Sequence, residues 1–240
     1  MKKTPKNFSK ISLSRSKIED FVQCPRCFYL DIKVGIKKPQ GPPFTLNAAV
    51  DYLLKKEFDI HRAENKTHPL MEKYKIKAVP FNFKDLAKWR NSGIRYYDPE
   101  TNLEISGKID DIWIDENNYL IVVDYKATST SLEITLDGGG YKDSYKREVE
   151  IYQWLLRKNG FKVAKVSYFV YVNALKDRKA FDGKLEFDLK ILKYQGDDGW
   201  VDKTLFEIRS VLEKNILPKP STNCEFCRYF KERVDLEKEF

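Results

Sequence analysis

Two groups of residues in this chain have the types and spacing for metal chemistry. The first is its four cysteines, which fall in two Cys-x-x-Cys turns near opposite ends, Cys24-Pro25-Arg26-Cys27 and Cys224-Glu225-Phe226-Cys227. Each turn can bite one metal centre with two thiolates, and in a chain that reads as intracellular such pairs point to a metal rather than to disulfides. Four unrelated buried thiols would need a coincidence of spacing. Thiolates suit tetrahedral zinc and a 4Fe-4S cluster alike, so the pattern leaves the metal open. Either would clamp the N-terminal segment to the C-terminal one.

The second group is built on carboxylates. Asp110 closes Gly107-Lys108-Ile109-Asp110, and Asp124-Tyr125-Lys126 follows one strand later. Strand alternation puts Asp124 and Lys126 on one face and Tyr125 on the other. Paired carboxylates on adjacent strands are what Mg²⁺ or Mn²⁺ needs, because these hard ions take oxygen ligands and keep waters that can become nucleophiles. The lysine can then orient the attacking water and stabilise charge on a phosphorane-like transition state. Asp-x-Lys is a short pattern, and the competing reading is a charged pair ending an edge strand in solvent.

The elements that must position these groups are readable in outline. Tyr119 to Tyr125 is an apolar run that predicts a buried strand, and Ile105 to Ile114 predicts its hairpin partner, with an irregularity at its centre and Asp115-Glu116-Asn117-Asn118 as the turn. Ala49, Val50, Leu53, Leu54 and Phe58 recur at helical spacing over about 46–62, which sets Asp51 at the edge of the inward face; the plainer reading is a solvent-facing aspartate paired with Lys55 at i+4. Tyr145, Val149, Tyr152 and Leu156 mark a further helix ending near Gly160. Strands over 165–174 and 184–194 and a helix over about 201–212 follow, closed off by Pro218 and Pro220. Upstream, Ser16-Lys17-Ile18-Glu19 has the form of a capping box opening a short helix that stops near Pro25, and Lys37 to Pro43 is a breaker cluster. The order implies an α/β fold, a mixed sheet with helices on its faces.

Composition narrows the class. With 240 residues, 42% hydrophobic and 14% aromatic, the chain can bury a real core, which excludes a disulfide-stapled miniature and wholesale disorder. No apolar run approaches a bilayer span, and the basic start lacks the apolar block of a secretory signal, so a cytoplasmic location is expected. The net charge is +8, and residues 1–40 carry ten Lys or Arg against Glu19, Asp20 and Asp31. A basic end of this kind suits a polyanion such as nucleic acid; a solvated tail is the plainer reading. Aromatics beside bases, at Trp89-Arg90, Tyr96-Tyr97 and Tyr141 to Lys146, are candidates to stack on unpaired bases, although most should be core. His61 and His68 have no metal-ligand spacing and are expected at the surface or at helix ends.

Taken together, Gly107 to Asp110 followed by Val122-Val123-Asp124-Tyr125-Lys126-Ala127-Thr128 resembles the active-site hairpin of RecB-like nucleases in the PD-(D/E)XK superfamily. Ser12 to Leu30, with its Phe21-x-x-Cys24-Pro25-x-x-Phe28-Tyr29-Leu30, is similar to the N-terminal segment of the iron–sulfur branch, which includes AddB-type nucleases and CRISPR-adaptation exonucleases; Pro218 to Cys227 resembles its C-terminal cysteine segment. The resemblance implies a restriction-endonuclease-like core in one domain over 1–240. Within it, 1–16 would be a basic tail, and 17–43 and 214–230 the cysteine-bearing segments that pack together on a 4Fe-4S cluster, with structural Zn²⁺ as the alternative.

Residue by residue, the resemblance implies that Asp110 and Asp124 bind Mg²⁺ or Mn²⁺, joined by the Tyr125 carbonyl, and that Lys126 is catalytic. Asp51 in Ala49-Val50-Asp51 stands where the family has a metal-binding histidine. Glu148-Val149-Glu150-Ile151-Tyr152 stands where it has Gln-x-x-x-Tyr, and the cysteines split two and two instead of one and three. Three carboxylates at Asp51, Asp110 and Asp124 should repel one another and raise at least one pKa. The implied activity is hydrolysis of phosphodiester bonds in DNA, single-stranded or at ends, with recombination, repair or CRISPR-adaptation proteins as candidate partners. A nucleic-acid-binding module of the same fold without catalysis is the alternative, and a structural protein with an inert hairpin is a third.

Overall fold

Leu120-Ile121-Val122-Val123 is apolar at successive positions and β-branched from Ile121 on, the pattern of a strand covered on both faces, and it opens a nine-residue central strand. The computed structural model describes residues 10–39 and 41–240. In chain order the elements are β1 (Ile11–Ser14), α1 (Arg15–Gln23), α2 (Pro25–Tyr29), a π-helical turn (Leu30–Val34), α3 (Thr45–Ala63), α4 (Pro69–Lys73), β2 (Ala78–Pro80) and α5 (Leu86–Ser92). They continue with β3 (Ile94–Asp98), β4 (Leu103–Gly107), β5 (Asp111–Asp115), β6 (Leu120–Thr128), α6 (Tyr141–Lys158), β7 (Val166–Ala174), β8 (Phe187–Gln195), α7 (Trp200–Glu213) and α8 (Glu225–Glu237). The chain forms two compact units. One takes the described residues up to Pro42 with Tyr97–Ser106 and Gly199–Phe240, and the other takes Pro43–Tyr96 and Gly107–Asp198.

The second unit holds a five-stranded mixed sheet, ordered β2-β5-β6-β7-β8. β5 and β6 form the antiparallel hairpin, with Asp111 opposite Val123, and β6 runs parallel to β7, with Lys126 opposite Tyr171. Alternation sorts β6 into two faces. Ile121, Val123 and Tyr125 join Leu54 and Phe58 of α3 in one core cluster with Trp113 and Val170. Val122, Asp124 and Lys126 therefore point the other way, where Lys126 meets Tyr145 and Glu148 of α6. The buried stretch Glu148–Leu156 makes α6 the cover of that face.

In the first unit β1 lies parallel to β4, with Ile11 opposite Leu103, and Ile18, Phe28, Val201, Leu205 and Ile208 are fully buried. The stretch that leaves α7 is tied to the N-terminal helices by polar bonds. Arg26 Nε donates to Pro218 O (2.8 Å), Tyr29 Oη to Lys214 O (3.2 Å), and the buried Lys33 ammonium to the carbonyls of Leu212 and Lys214. The N- and C-terminal segments are therefore joined, with the four cysteines close together. The π-turn ends on Gly35, whose φ of +80° closes it in the left-handed conformation that glycine adopts without a steric penalty.

Several local expectations are corrected. Ile105–Ile114 is not one irregular strand: β4 and β5 belong to different sheets, and the break at Lys108–Asp110 frees the Asp110 carboxylate to accept from Tyr125 N (3.2 Å). The Ser16–Glu19 capping box does not form. β1 runs straight into α1 with extended Ser14 as its N-cap, and the buried Glu19 accepts from Gln23 Nε2 (3.1 Å). His68 does sit at a helix end as expected, as the N-cap of α4, and is buried there. Its Nδ1 caps α4 by accepting from Leu70 N, and Nε2 meets Glu57. Met1–Ser9 of the expected basic tail lie outside the described residues. No helix among the described residues is long and apolar enough to cross a membrane.

Candidate active site and four-cysteine centre

β6 ends its apolar run at Asp124 and then presents Lys126 on the same face, one pleat further on. Lys126 Nζ lies 2.6 Å from Asp124 Oδ2 and 3.1 Å from Glu148 Oε2, and it stands 4.3 Å over the Tyr145 ring. Glu148 Oε1 in turn accepts from Tyr152 Oη (3.0 Å), one helical turn along α6. The Tyr152 ring needs bare backbone opposite it, since a Cβ on Gly107 would fall 2.5 Å from Tyr152 Cε1. Across the hairpin, Lys55 Nζ of α3 bridges Asp51 Oδ2 (2.7 Å) and Asp110 Oδ1 (2.9 Å). Asp51, Asp110, Tyr125, Lys126 and Tyr145 share the lining of an open pocket of about 300 Å³.

The electrostatics are those of crowded carboxylates. Burial pushes the Asp124 carboxyl well above the usual range; Lys126 pulls against this, while Glu148 and Asp110 add to it. Burial and then the Asp110 charge raise Asp51, against the pull of Lys55. Burial works to lower the Lys126 ammonium, but Asp124 and Glu148 outweigh it and the pKa rises. The carboxylate oxygens are hard donors, a donor chemistry that suits Mg²⁺ or Mn²⁺, although in the pocket Lys55 already pairs with both Asp51 and Asp110.

Beneath this layer lies a buried ionic network that fixes the hairpin. Asp111, fully buried, accepts from Arg62, from Arg90 Nη2 (3.1 Å), from Tyr125 Oη (2.6 Å) and from Ile112 N (2.8 Å). Arg90 also donates to the Asp110 carbonyl (2.9 Å) and to both oxygens of Asp59 (2.9 and 2.7 Å). Through Arg90, α5 clamps the backbone on which Asp110 sits. Sequence reasoning passed over Lys55 as a bridge, Arg62, Arg90 and Asp111. One signal was available: in Asp110-Asp111 at the start of a strand, alternation turns one carboxylate inward, where it requires buried cations.

The structure thus brings Asp51 and Asp110 together through Lys55, and Asp124, Lys126, Glu148 and Tyr152 together through a chain of contacts. Of the aromatics considered for base stacking, Trp89 is buried against Phe83 and Phe161, Tyr96 packs on Trp154, and Tyr141 is two-thirds exposed at the start of α6.

In the first unit, Cys24 and Cys224 cap the starts of α2 and α8, and each Cys-x-x-Cys turn folds its two sulfurs inward. The sulfurs of Cys27 and Cys227 are 3.5 Å apart, Cys27 and Cys224 3.6 Å, and Cys24 and Cys227 3.8 Å. Among the described residues this is the one group of three or more His, Cys, Asp or Glu whose ligand atoms lie close enough together for an ion. Burial raises Cys24, but the backbone amides of Cys27 and Ser221, joined by the thiols of Cys224 and Cys27, outweigh it and bring the thiol down to about 6. Burial pushes Cys227 up to about 11.

A family model described as PD-(D/E)XK nuclease superfamily matches residues 45–231. No curated protein matches the chain. Among solved structures, one described as "Crystal structure of SSO0001" is similar at 15% identity, covering 88% of this chain and 80% of that chain. Its TM-score is 0.37, a likeness too distant to bear on the site.

Proposed function

Since the chain belongs to the PD-(D/E)XK nuclease superfamily, we propose that it is a cytoplasmic, divalent-metal-dependent deoxyribonuclease that hydrolyses phosphodiester bonds in single-stranded DNA or at DNA ends. The observation that carries this reading is the pairing of buried Asp124 with Lys126 on one face of β6, beside the pocket that Asp110 and Asp51 line. Asp51, Asp110, Asp124 and the Tyr125 carbonyl would hold Mg²⁺ or Mn²⁺ once the three carboxylates, which are not gathered as the cysteines are, draw together and Lys55 gives way. When bound, such an ion supplies Lewis-acid polarisation of a phosphoryl oxygen and a more acidic water. Lys126 orients the attacking water and stabilises charge on the phosphoryl group; Glu148 fixes the Lys126 ammonium, and Tyr152 fixes Glu148. The Asp59, Arg62, Arg90 and Asp111 network keeps Asp110 in register.

One observation favours the alternative of a nucleic-acid-binding module without catalysis: Lys55 already compensates both Asp51 and Asp110. Cleavage of end-labelled single-stranded and duplex DNA, with Mg²⁺ or Mn²⁺ titrated from zero, separates the two. The nuclease reading expects shorter products that appear with the ion and vanish in Asp110→Asn and Asp124→Asn. DNA binding that persists with no cleavage at any ion concentration would establish the other.

A further inference from the structure

We propose that the four cysteines hold a single tetrahedral zinc ion, and not the 4Fe-4S cluster that the family resemblance implies. The separations of the sulfurs carry the argument. Three pairs stand 3.5, 3.6 and 3.8 Å apart, and all four sulfurs lie within 4.8 Å of one another. A regular tetrahedron with zinc–sulfur bonds of about 2.3 Å has edges of about 3.8 Å. In a cubane each cysteine binds a different iron, so the four thiolates splay outward from a four-metal core and no two of them come into contact. The quartet here encloses room for one ion.

The surrounding structure opposes widening it. The chain that leads into Cys224 and Cys227 is anchored beside α2 at residues 212–218, only six residues short of Cys224. The bonds from Arg26 to Pro218 O, from Tyr29 to Lys214 O and from Lys33 to Leu212 O and Lys214 O tie these segments together without any metal. The ligand distribution agrees: two bidentate Cys-x-x-Cys turns, each opening a helix, form a symmetric four-thiolate cage of the kind structural zinc takes. Sulfur alone does not choose between the metals; the spacing does.

The test is elemental and sulfide analysis of the full chain, purified without oxygen from cells supplied with both iron and zinc. One zinc per chain with iron and acid-labile sulfide near zero is expected, and a thiol-reactive mercurial should release that zinc as four thiols are consumed. Replacement by Co²⁺ should give the visible bands of a tetrahedral thiolate site. About four irons and four sulfides per chain would overturn the proposal, as would a chain carrying neither metal. Because Cys27 is buried and Cys27→Ser can block folding, the half-buried Cys224→Ser is the variant to use, and it should lose the zinc. Asp110→Asn should keep it; loss there would place the ion at the carboxylates and refute the assignment. Zinc content is read with no DNA present, so its failure and that of the nuclease reading are separate results.

Discussion

Asp124→Asn should make the protein more stable at neutral pH while abolishing cleavage. Asp124 is 1% exposed, and burial, with the charges of Glu148 and Asp110, keeps its carboxyl well above the usual range despite the opposing pull of Lys126. The sign follows from proton linkage. Between the unfolded value of about 3.9 and the raised folded value, the native state binds more protons than the unfolded chain, so stability falls as pH rises, by about 1.4 kcal/mol per pH unit. Below that window the loss is absent, and above it the loss is complete and constant. Asparagine does not titrate, and Lys126 retains its contact with Glu148 at 3.1 Å. The stability difference between variant and wild type should therefore grow in the variant's favour from about pH 4 upward and then level off. Urea unfolding followed by the fluorescence of the four tryptophans, from pH 4 to 8 at fixed ionic strength without added divalent salt, measures it. Parallel stability curves, or a variant that loses ground as pH rises, would refute the claim that the fold opposes this charge.

Lys126→Ala should lower the cleavage rate by at least about a hundredfold at saturating ion, the usual loss when one transition-state donor is removed, with DNA affinity within a few fold of wild type in a filter-binding titration. Gly107→Ala puts a methyl 2.5 Å from Tyr152 Cε1 and should cost about 1 to 3 kcal/mol in urea unfolding, with a slower rate as Glu148 loses its anchor. Arg90→Met strips Asp111 and Asp59 of a shared cation and should cost about 3 to 5 kcal/mol, because Asp111 is fully buried. Removing Met1–Lys10 deletes four lysines and should flatten the slope of log DNA affinity against log salt by about 3; an unchanged slope would make the tail a solubility device.

The elements that sequence made legible are those whose signal is local. β6, α3 and α6 span 9, 19 and 18 residues, windows in which periodicity marks the element, although Ala49 and Leu53 of the inward face expected for α3 are exposed. Period-two alternation also sufficed to put Asp124 and Lys126 side by side, and helical spacing to put Asp51 within reach of Lys55. The Asp59, Arg62, Arg90 and Asp111 network was not legible, because Arg62 and Asp111 are 49 residues apart and Arg90 and Asp59 are 31 apart. Which cation meets which anion over such separations is settled by tertiary packing. The same holds for β1, which is four residues long and pairs with β4 across 92 positions. The local capping signal was real but two residues out of register: a strand that turns directly into a helix supplies its own extended N-cap at Ser14, leaving Ser16 and Glu19 inside α1.

The pairing of Asp51 with Lys55 joins two readings that sequence treated as rivals. An i, i+4 ion pair on a helix surface would leave Asp51 without a role, but Lys55 reaches past it to Asp110, so the pair faces the pocket. Counted with all groups ionised, Asp51, Asp110, Asp124 and Glu148 carry four negative charges against two from Lys55 and Lys126. The deficit equals the charge of one divalent ion. The fold therefore opposes full ionisation of its own carboxylates, and the group that bears this most is the most deeply buried, Asp124. On the nuclease reading, adding Mg²⁺ should remove the falling limb of the wild-type stability curve while leaving Asp124→Asn nearly unchanged, because a nearby cation restores the advantage of the ionised carboxyl. A wild-type slope that persists at saturating Mg²⁺ would mean that the deficit has another purpose.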